Sequence, residues 1–180
     1  MKIALVYFSR GGNTRKIAET MAEELEVKAL DVTKEKPDLS DVDLLVVGSG
    51  TYGSKPGKEM VAYLENLEPV AGKRAACFSS CASGDASKTL QAMKEILSKK
   101  GYVNTDCFSC LGKWLMGFSR RGHPSEEELT QAREIAKKLK SNTSSTHHTI
   151  AATMEEEETQ KPTKDAIKPE TKKPTQNRLP

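Results

Sequence analysis

Ile3-Ala4-Leu5-Val6-Tyr7-Phe8-Ser9-Arg10-Gly11-Gly12-Asn13-Thr14 is the stretch from which the rest of the chain can be read. Six consecutive apolar residues are what a parallel strand covered on both faces requires. They pass directly into a short glycine-containing loop, and the loop leads straight into a helical pattern. Ile17, Ala18, Met21, Ala22 and Leu25 fall on one face of Thr14–Leu25. Strand, tight loop and amphipathic helix together make the opening unit of an α/β sheet.

The same alternation repeats outward from this unit. Leu44–Gly48 and Ala75–Ser79 are again apolar throughout or nearly so, as interior strands are. A helix over about residues 57–67 presents Met60, Val61, Leu64 and Leu67, and a later one aligns Ala86, Leu90, Met93 and Leu97. The last, Glu126–Leu139, carries Leu129, Ala132, Ile135 and Leu139 behind a capping box formed by Ser125 and Glu128. Glu26–Val32 and Val103–Phe108 instead alternate apolar with polar residues, which suits edge strands. Five strands joined by helices imply a parallel sheet with right-handed crossovers. With the second and fifth strands at the edges, the order is 2-1-3-4-5: a three-layer, doubly wound, parallel five-stranded sheet.

Composition divides the chain in two. Of 180 residues, 36% are hydrophobic and 5% aromatic, and every glycine and aromatic lies in residues 1–140. Residues 141–180 are Ser/Thr-rich, then acidic over Glu155–Glu158, then built on Lys-Pro and Thr repeats. Such a segment buries too little surface to offset its ordering entropy, so it is expected to be a disordered low-complexity tail behind a domain of residues 1–140. Its adjacent His147 and His148 lack the further converging ligands that a metal site needs, so no metal is expected.

The net charge of +3 is spread without a basic stripe, which argues against a nucleic-acid partner. No apolar run approaches the ~20 residues of a membrane span. The opening run is too short for a secretory signal, so the chain is expected in the cytoplasm. Its four cysteines are then expected as thiols.

In a sheet of this order, ligands gather beyond the carboxyl ends of the strands, between the first and third. Three loops meet that description. In the first, Ser9-Arg10-Gly11-Gly12-Asn13-Thr14, two glycines permit close backbone approach to an anion. Ser9, Asn13 and Thr14 add donors, and the helix N-terminus adds oriented N–H groups. It is neither a Walker A nor a GxGxxG motif, and the plain alternative is an Asn-capped helix after a tight turn. The second, residues 48–57, sets four glycines and Pro56 around Tyr52, a ring for stacking amid backbone polar groups. The third, residues 79–85, is small and polar around Cys81. No arginine follows that cysteine at phosphatase spacing, so a cysteine phosphatase is excluded.

Together the three loops resemble those of the flavodoxin family over roughly residues 1–140. Cys110-Leu111-Gly112 and Gly122-His123-Pro124 are similar to segments of small flavodoxin-like proteins from anaerobic microbes. The resemblance implies FMN as cofactor. Ser9, Arg10, Gly11, Gly12, Asn13 and Thr14 would form the phosphate loop. Thr51, Tyr52, Gly53 and Ser54 would line the isoalloxazine, with the Gly53 peptide facing flavin N5. Ser80, Cys81, Ala82, Ser83 and Gly84 would close the pyrimidine side. The third loop lacks the family's usual stacking tyrosine, a role left to Tyr52, Trp114 or Phe118. Arg10 and Lys55 stand in flavin loops that are generally acidic in low-potential flavodoxins, which predicts a less negative potential here.

The function so implied is that of an electron-transfer flavoprotein, a redox carrier working between partner proteins: a reductase or ferredoxin-type donor and an acceptor. A carrier needs no catalytic residue. The alternatives are an FMN-dependent NAD(P)H:quinone-type oxidoreductase and a flavin- or phosphate-sensing protein. Trp114–Phe118 is an apolar patch that admits four readings: a lid, a homodimer surface, a docking site for a redox partner, or packing over the sheet edge. Cys107 and Cys110 have Cys-x-x-Cys spacing without a second ligand pair and read as structural thiols, as does Cys77 within its apolar strand. His123 reads as an ordinary turn histidine.

Overall fold

Strand β1 (Ile3–Phe8) leads into helix α1 (Asn13–Leu25), followed by β2 (Ala29–Asp31) and the long β3 (Leu44–Tyr52). After β4 (Lys55–Pro56) come α2 (Lys58–Glu65), β5 (Arg74–Cys81), α3 (Ser87–Lys99), β6 (Val103–Leu111) and α4 (Glu126–Met154). The structure is a computed structural model that describes the backbone of residues 1–81, 85–111 and 124–154.

The sheet runs β2-β1-β3-β5-β6 with every neighbouring pair parallel, which is the expected 2-1-3-4-5 order. Alternate residues of its central strands feed two separate cores. Val6 and Phe8 of β1, Leu45 and Val47 of β3 and Cys77 of β5 pack beneath Met60 and Leu64 of α2 and Leu90, Met93 and Leu97 of α3. Leu5, Tyr7, Leu44, Val46, Ala76 and Phe78 turn the other way, under Ile17 and Met21 of α1 and Ala132, Ala136 and Leu139 of α4. Both sets are shielded from water, so these strands read as continuous apolar runs. Each fully buried Leu or Val contributes about 1.5–3 kcal/mol relative to exposure.

Four boundaries differ from expectation. The strand expected over Glu26–Val32 shrinks to three residues, because Glu26 adopts a left-handed conformation (φ 57°) that ends α1. The Glu26 N–H donates to Glu23 O at 3.2 Å and the Val27 N–H to Ala22 O at 3.0 Å. That pair of bonds is a Schellman cap. Strand β3 does not stop at Gly48 but runs on to Tyr52 and turns back as the two-residue β4, a hairpin absent from the sequence reading. Strand β6 continues past Phe108 to Leu111, with a register shift against β5 between Ala75 and Ala76. Helix α4 extends beyond Leu139 to Met154, since no Gly or Pro interrupts residues 140–154. Its start is as expected: the Ser125 N–H donates to Glu128 Oε2 at 2.6 Å, and the Glu128 N–H to Ser125 Oγ at 3.4 Å.

Residues Met1–Ser144 form one compact unit; a second begins at Ser145, and its described part, to Met154, is helical. Among the described residues no helix is long and apolar enough to cross a membrane.

Candidate functional site

The three loops arise at the carboxyl ends of β1, β3 and β5, neighbours at the centre of the sheet, and side-chain bonds tie them together. In the first, Gly12 takes φ 87°, a left-handed conformation that favours glycine, and serves as the N-cap of α1. The cap is thus Gly12, not Asn13, and among the described residues no side-chain hydrogen bond caps this end of the helix. The first intrahelical bond runs from the Lys16 N–H to Gly12 O, leaving the N–H groups of Asn13, Thr14 and Arg15 without an i−4 partner. Ser9 Oγ accepts the Gly12 N–H at 3.0 Å and holds the loop closed. A Cβ built at Gly11 or Gly12 meets nothing within 4 Å, so the space over this loop is open. Asn13 is exposed at its rim, whereas Thr14 is buried, with its Oγ1 hydrogen-bonded to Ser80 Oγ at 2.7 Å. That bond joins the first loop to the third.

The second loop is a hairpin. Tyr52 pairs with Lys55, and Gly53 (φ 60°) and Ser54 (φ 62°) form the turn between them, both left-handed and exposed. Positive φ at both central positions is the mark of a type I′ turn, the kind that matches strand twist. Ser49, buried, donates to Gly50 O and accepts the Gly57 N–H, each at 3.0 Å, and so closes the hairpin base. Thr51 Oγ1 is hydrogen-bonded to Ser79 Oγ at 3.0 Å, the link from this loop to β5.

Tyr52 folds back across the first loop. Its hydroxyl accepts the Arg10 backbone N–H at 2.9 Å. Its ring lies 4.6 Å beneath the Arg10 guanidinium carbon and edge-on to Phe8, centroids 6.0 Å apart. Arg10 also reaches Glu59 on the first turn of α2, at 3.7 Å, so its charge is partly offset, while Lys55 is exposed. Sequence reasoning passed over Glu59, because an acidic residue in a first helical turn reads as an ordinary complement to the helix dipole. It passed over Ser49 and Ser79 because nothing local distinguishes a buried serine that bonds across a sheet.

Two of the glycines serve packing. A Cβ at Gly57 would lie 2.2 Å from the Phe8 ring, and one at Gly50 would lie 2.8 Å from Tyr52 Oη and 3.2 Å from Thr14 Oγ1.

In the third loop, Ser80 faces α1 and belongs to the site. Cys81 does not present its thiol there. Its side chain is buried in the core beneath α2 and α3, and Sγ donates to Asp85 O at 3.2 Å, fastening the two ends of the loop. The cause is strand alternation: Ser80 and Cys81 face opposite sides of the sheet, so Cys81 has only its backbone to offer a ligand there. The Ser87 hydroxyl and N–H, the latter at 2.9 Å, hold the Asp85 carboxyl below its ordinary range. Ala82, Ser83, Gly84, Trp114, Phe118 and His123 lie outside the described residues. No group of three or more His, Cys, Asp or Glu side chains placed to hold a metal occurs among the described residues.

Residues 4–115 match the family described as the flavodoxin domain. An uncharacterised protein of Methanocaldococcus jannaschii is 30% identical over 151 residues, 79% of this chain and all of that protein. Among solved structures, a flavodoxin from the domain Archaea superposes with a TM-score of 0.60 at 24% identity, covering 78% of this chain and 99% of that one. A flavodoxin from Streptococcus pneumoniae TIGR4 gives 0.58 at 22% identity, with coverage of 79% and 99%. Each of these solved structures is spanned almost end to end.

Proposed function

The chain belongs to the flavodoxin family, and from that premise we propose that it binds FMN and works as an electron carrier between redox partner proteins in the cytoplasm. The observation that carries the reading is the joining of three loops at the strand-order reversal. The bonds are Thr14 to Ser80, Thr51 to Ser79, and the Arg10 N–H to the Tyr52 hydroxyl.

The residues present fit the cofactor. Open space over Gly11 and Gly12, together with an uncapped first turn in α1, suits a phosphate. The N–H groups of Asn13, Thr14 and Arg15 would hold it, with Ser9 Oγ keeping the loop in shape. The exposed Gly53–Ser54 turn supplies peptide groups for the edge of a heterocycle, and Tyr52 supplies a ring. When bound, the flavin provides the reversible electron transfer; the protein binds it, orients it and sets the local charge. Arg10 and Lys55 contribute positive potential beside the site, tempered by Glu59, and this supports a less negative potential than an acidic site would give. A carrier leaves one flavin edge open to a donor, a reductase or ferredoxin-type protein, and to an acceptor.

The test is titration of the purified protein with FMN, followed by flavin fluorescence and visible absorbance. Saturable binding of one FMN per chain is expected, and failure to take up FMN would overturn the reading. NADH or NADPH should be oxidised only when a reductase is added. Rapid oxidation without one would move the assignment to an FMN-dependent oxidoreductase.

A further inference from the structure

Cys77 of β5 and Cys107 of β6 occupy register-paired positions on adjacent parallel strands. Neighbouring strands lie about 4.8 Å apart, inside the ~4.4–6.8 Å that a disulfide needs between Cα atoms. Paired residues face the same side of the sheet, and the two thiols are in hydrogen-bonding contact. The register at this point is firmly held, because the next pair, Phe78 and Phe108, stacks with centroids 6.1 Å apart and planes 8° from parallel. The exposure of the two sulfurs is opposite: Cys77 is fully buried under α3, whereas Cys107 stands exposed on the edge strand. Chance packing of small residues requires neither the contact nor this asymmetry.

We propose that Cys77 and Cys107 are a redox-responsive dithiol that closes reversibly to a cross-strand disulfide, with Cys107 as the entry thiol and Cys77 as the resolving one. The oxidant class is a hydroperoxide. The Cys107 sulfur attacks the peroxide oxygen, the O–O bond breaks, and water (or an alcohol) leaves, giving a sulfenic acid. The Cys77 sulfur then attacks the Cys107 sulfur, the S–O bond breaks, and the departing hydroxyl takes the Cys77 proton as water. Two thiols and one hydrogen peroxide yield one disulfide and two waters, and a small dithiol reverses the reaction. The hydrogen bond to Cys107 and burial push the Cys77 thiol well up, so it waits protonated and does not react first. A bridge whose Cys107 sulfur is exposed at the sheet edge is open to attack by a small dithiol, which suits a reversible switch. Closing it ties β5 to the sheet edge two residues before Ser79, which bonds to Thr51 in the flavin site. The proposal stands whether or not FMN is bound.

The experiment treats the full-length protein with stoichiometric hydrogen peroxide, blocks remaining thiols, and maps tryptic peptides without reduction. The expected product joins peptides 75–88 and 101–113, with fragment ions placing the bridge at Cys77 and Cys107, and dithiothreitol restores both thiols. Cys107→Ser should abolish the bridge. Cys77→Ala should leave Cys107 as a sulfenic acid trapped by dimedone, which a second equivalent of peroxide carries to sulfinic acid. Should Cys77→Ala fail to fold, thiol counting decides: the wild type loses two thiols together, and Cys107→Ser keeps Cys77 unoxidised. A bridge through Cys81 or Cys110, a chain-to-chain link through Cys107, or sulfinic acid at Cys107 of the wild type without a bridge would each overturn the proposal.

Discussion

Two glycines, Gly48 and Gly11, illustrate how differently one residue type is used. A Cβ at Gly48 would stand 2.0 Å from the ring of Phe78, its register partner on β5. That ring is fully buried and stacked on Phe108, so it has nowhere to go. Gly48→Ala should therefore destabilise the protein by about 3 kcal/mol, the upper part of the usual overpacking range, seen as a lower urea midpoint at unchanged slope. At Gly11 a Cβ meets nothing and the backbone is not left-handed. Gly11→Ala should leave the unfolding free energy of the FMN-free protein within about 0.5 kcal/mol of wild type while weakening FMN at least about tenfold, because the methyl group occupies the approach to the loop. The sequence made Gly11 legible as a loop residue facing a ligand. It made Gly48 look like the end of a strand and the first glycine of a ligand loop, since the ring that demands glycine there lies thirty residues further on.

At the scale of elements, boundaries were harder to read than identities, and Glu26 explains why. Strand endings and helix caps are announced by Gly, Pro or Asn, and here a glutamate holds the left-handed cap of α1. Nothing in its chemistry marks it, so although the helix ends at Leu25 as its apolar face predicts, the first half of the expected strand was misplaced. The same holds for Ser54, which shares with Gly53 the left-handed turn between β3 and β4. Replacing Glu26 by glycine removes a conformational cost of about 1 kcal/mol, and Glu26→Gly should raise stability by nearly that amount at neutral pH. The substitution also deletes an exposed ion pair, Lys140 Nζ to Glu26 Oε1 at 2.9 Å. The hydrogen bond from Lys140 holds the Glu26 carboxyl below its ordinary value. What that pair contributes is present above the unfolded-state pKa and is lost as pH falls through the lower folded-state value. The advantage of Glu26→Gly over wild type should thus be larger in urea titrations at pH 3 than at pH 7. An advantage that shrinks on acidification would contradict this account of the cap.

The architecture of the whole molecule was the most legible level, because strand order follows from which strands are covered on both faces, and covered strands are apolar along most of their length. The same double coverage leaves a mark on global stability. Tyr63 of α2 lies in the core beneath α2 and α3, with its hydroxyl buried and without a hydrogen-bond partner among the described residues. Burial, with a smaller contribution from Tyr102, pushes its pKa from 10.0 up to about 12. Between these values the unfolded chain has released the phenolic proton and the folded one has kept it, so stability falls as pH rises through that window. Tyr63→Phe abolishes this particular loss and also removes an unsatisfied buried hydroxyl, which should add about 1 kcal/mol at pH 7. Lysines ionise over the same range, so the decisive quantity is the difference between variant and wild type. That difference should be constant from pH 7 to 9 and should widen in favour of Tyr63→Phe above pH 10. A difference that stays flat to pH 12 would mean that the hydroxyl reaches water in the folded state, and that the face beneath α2 and α3 is looser than the packing around Met60, Leu64 and Met93 implies.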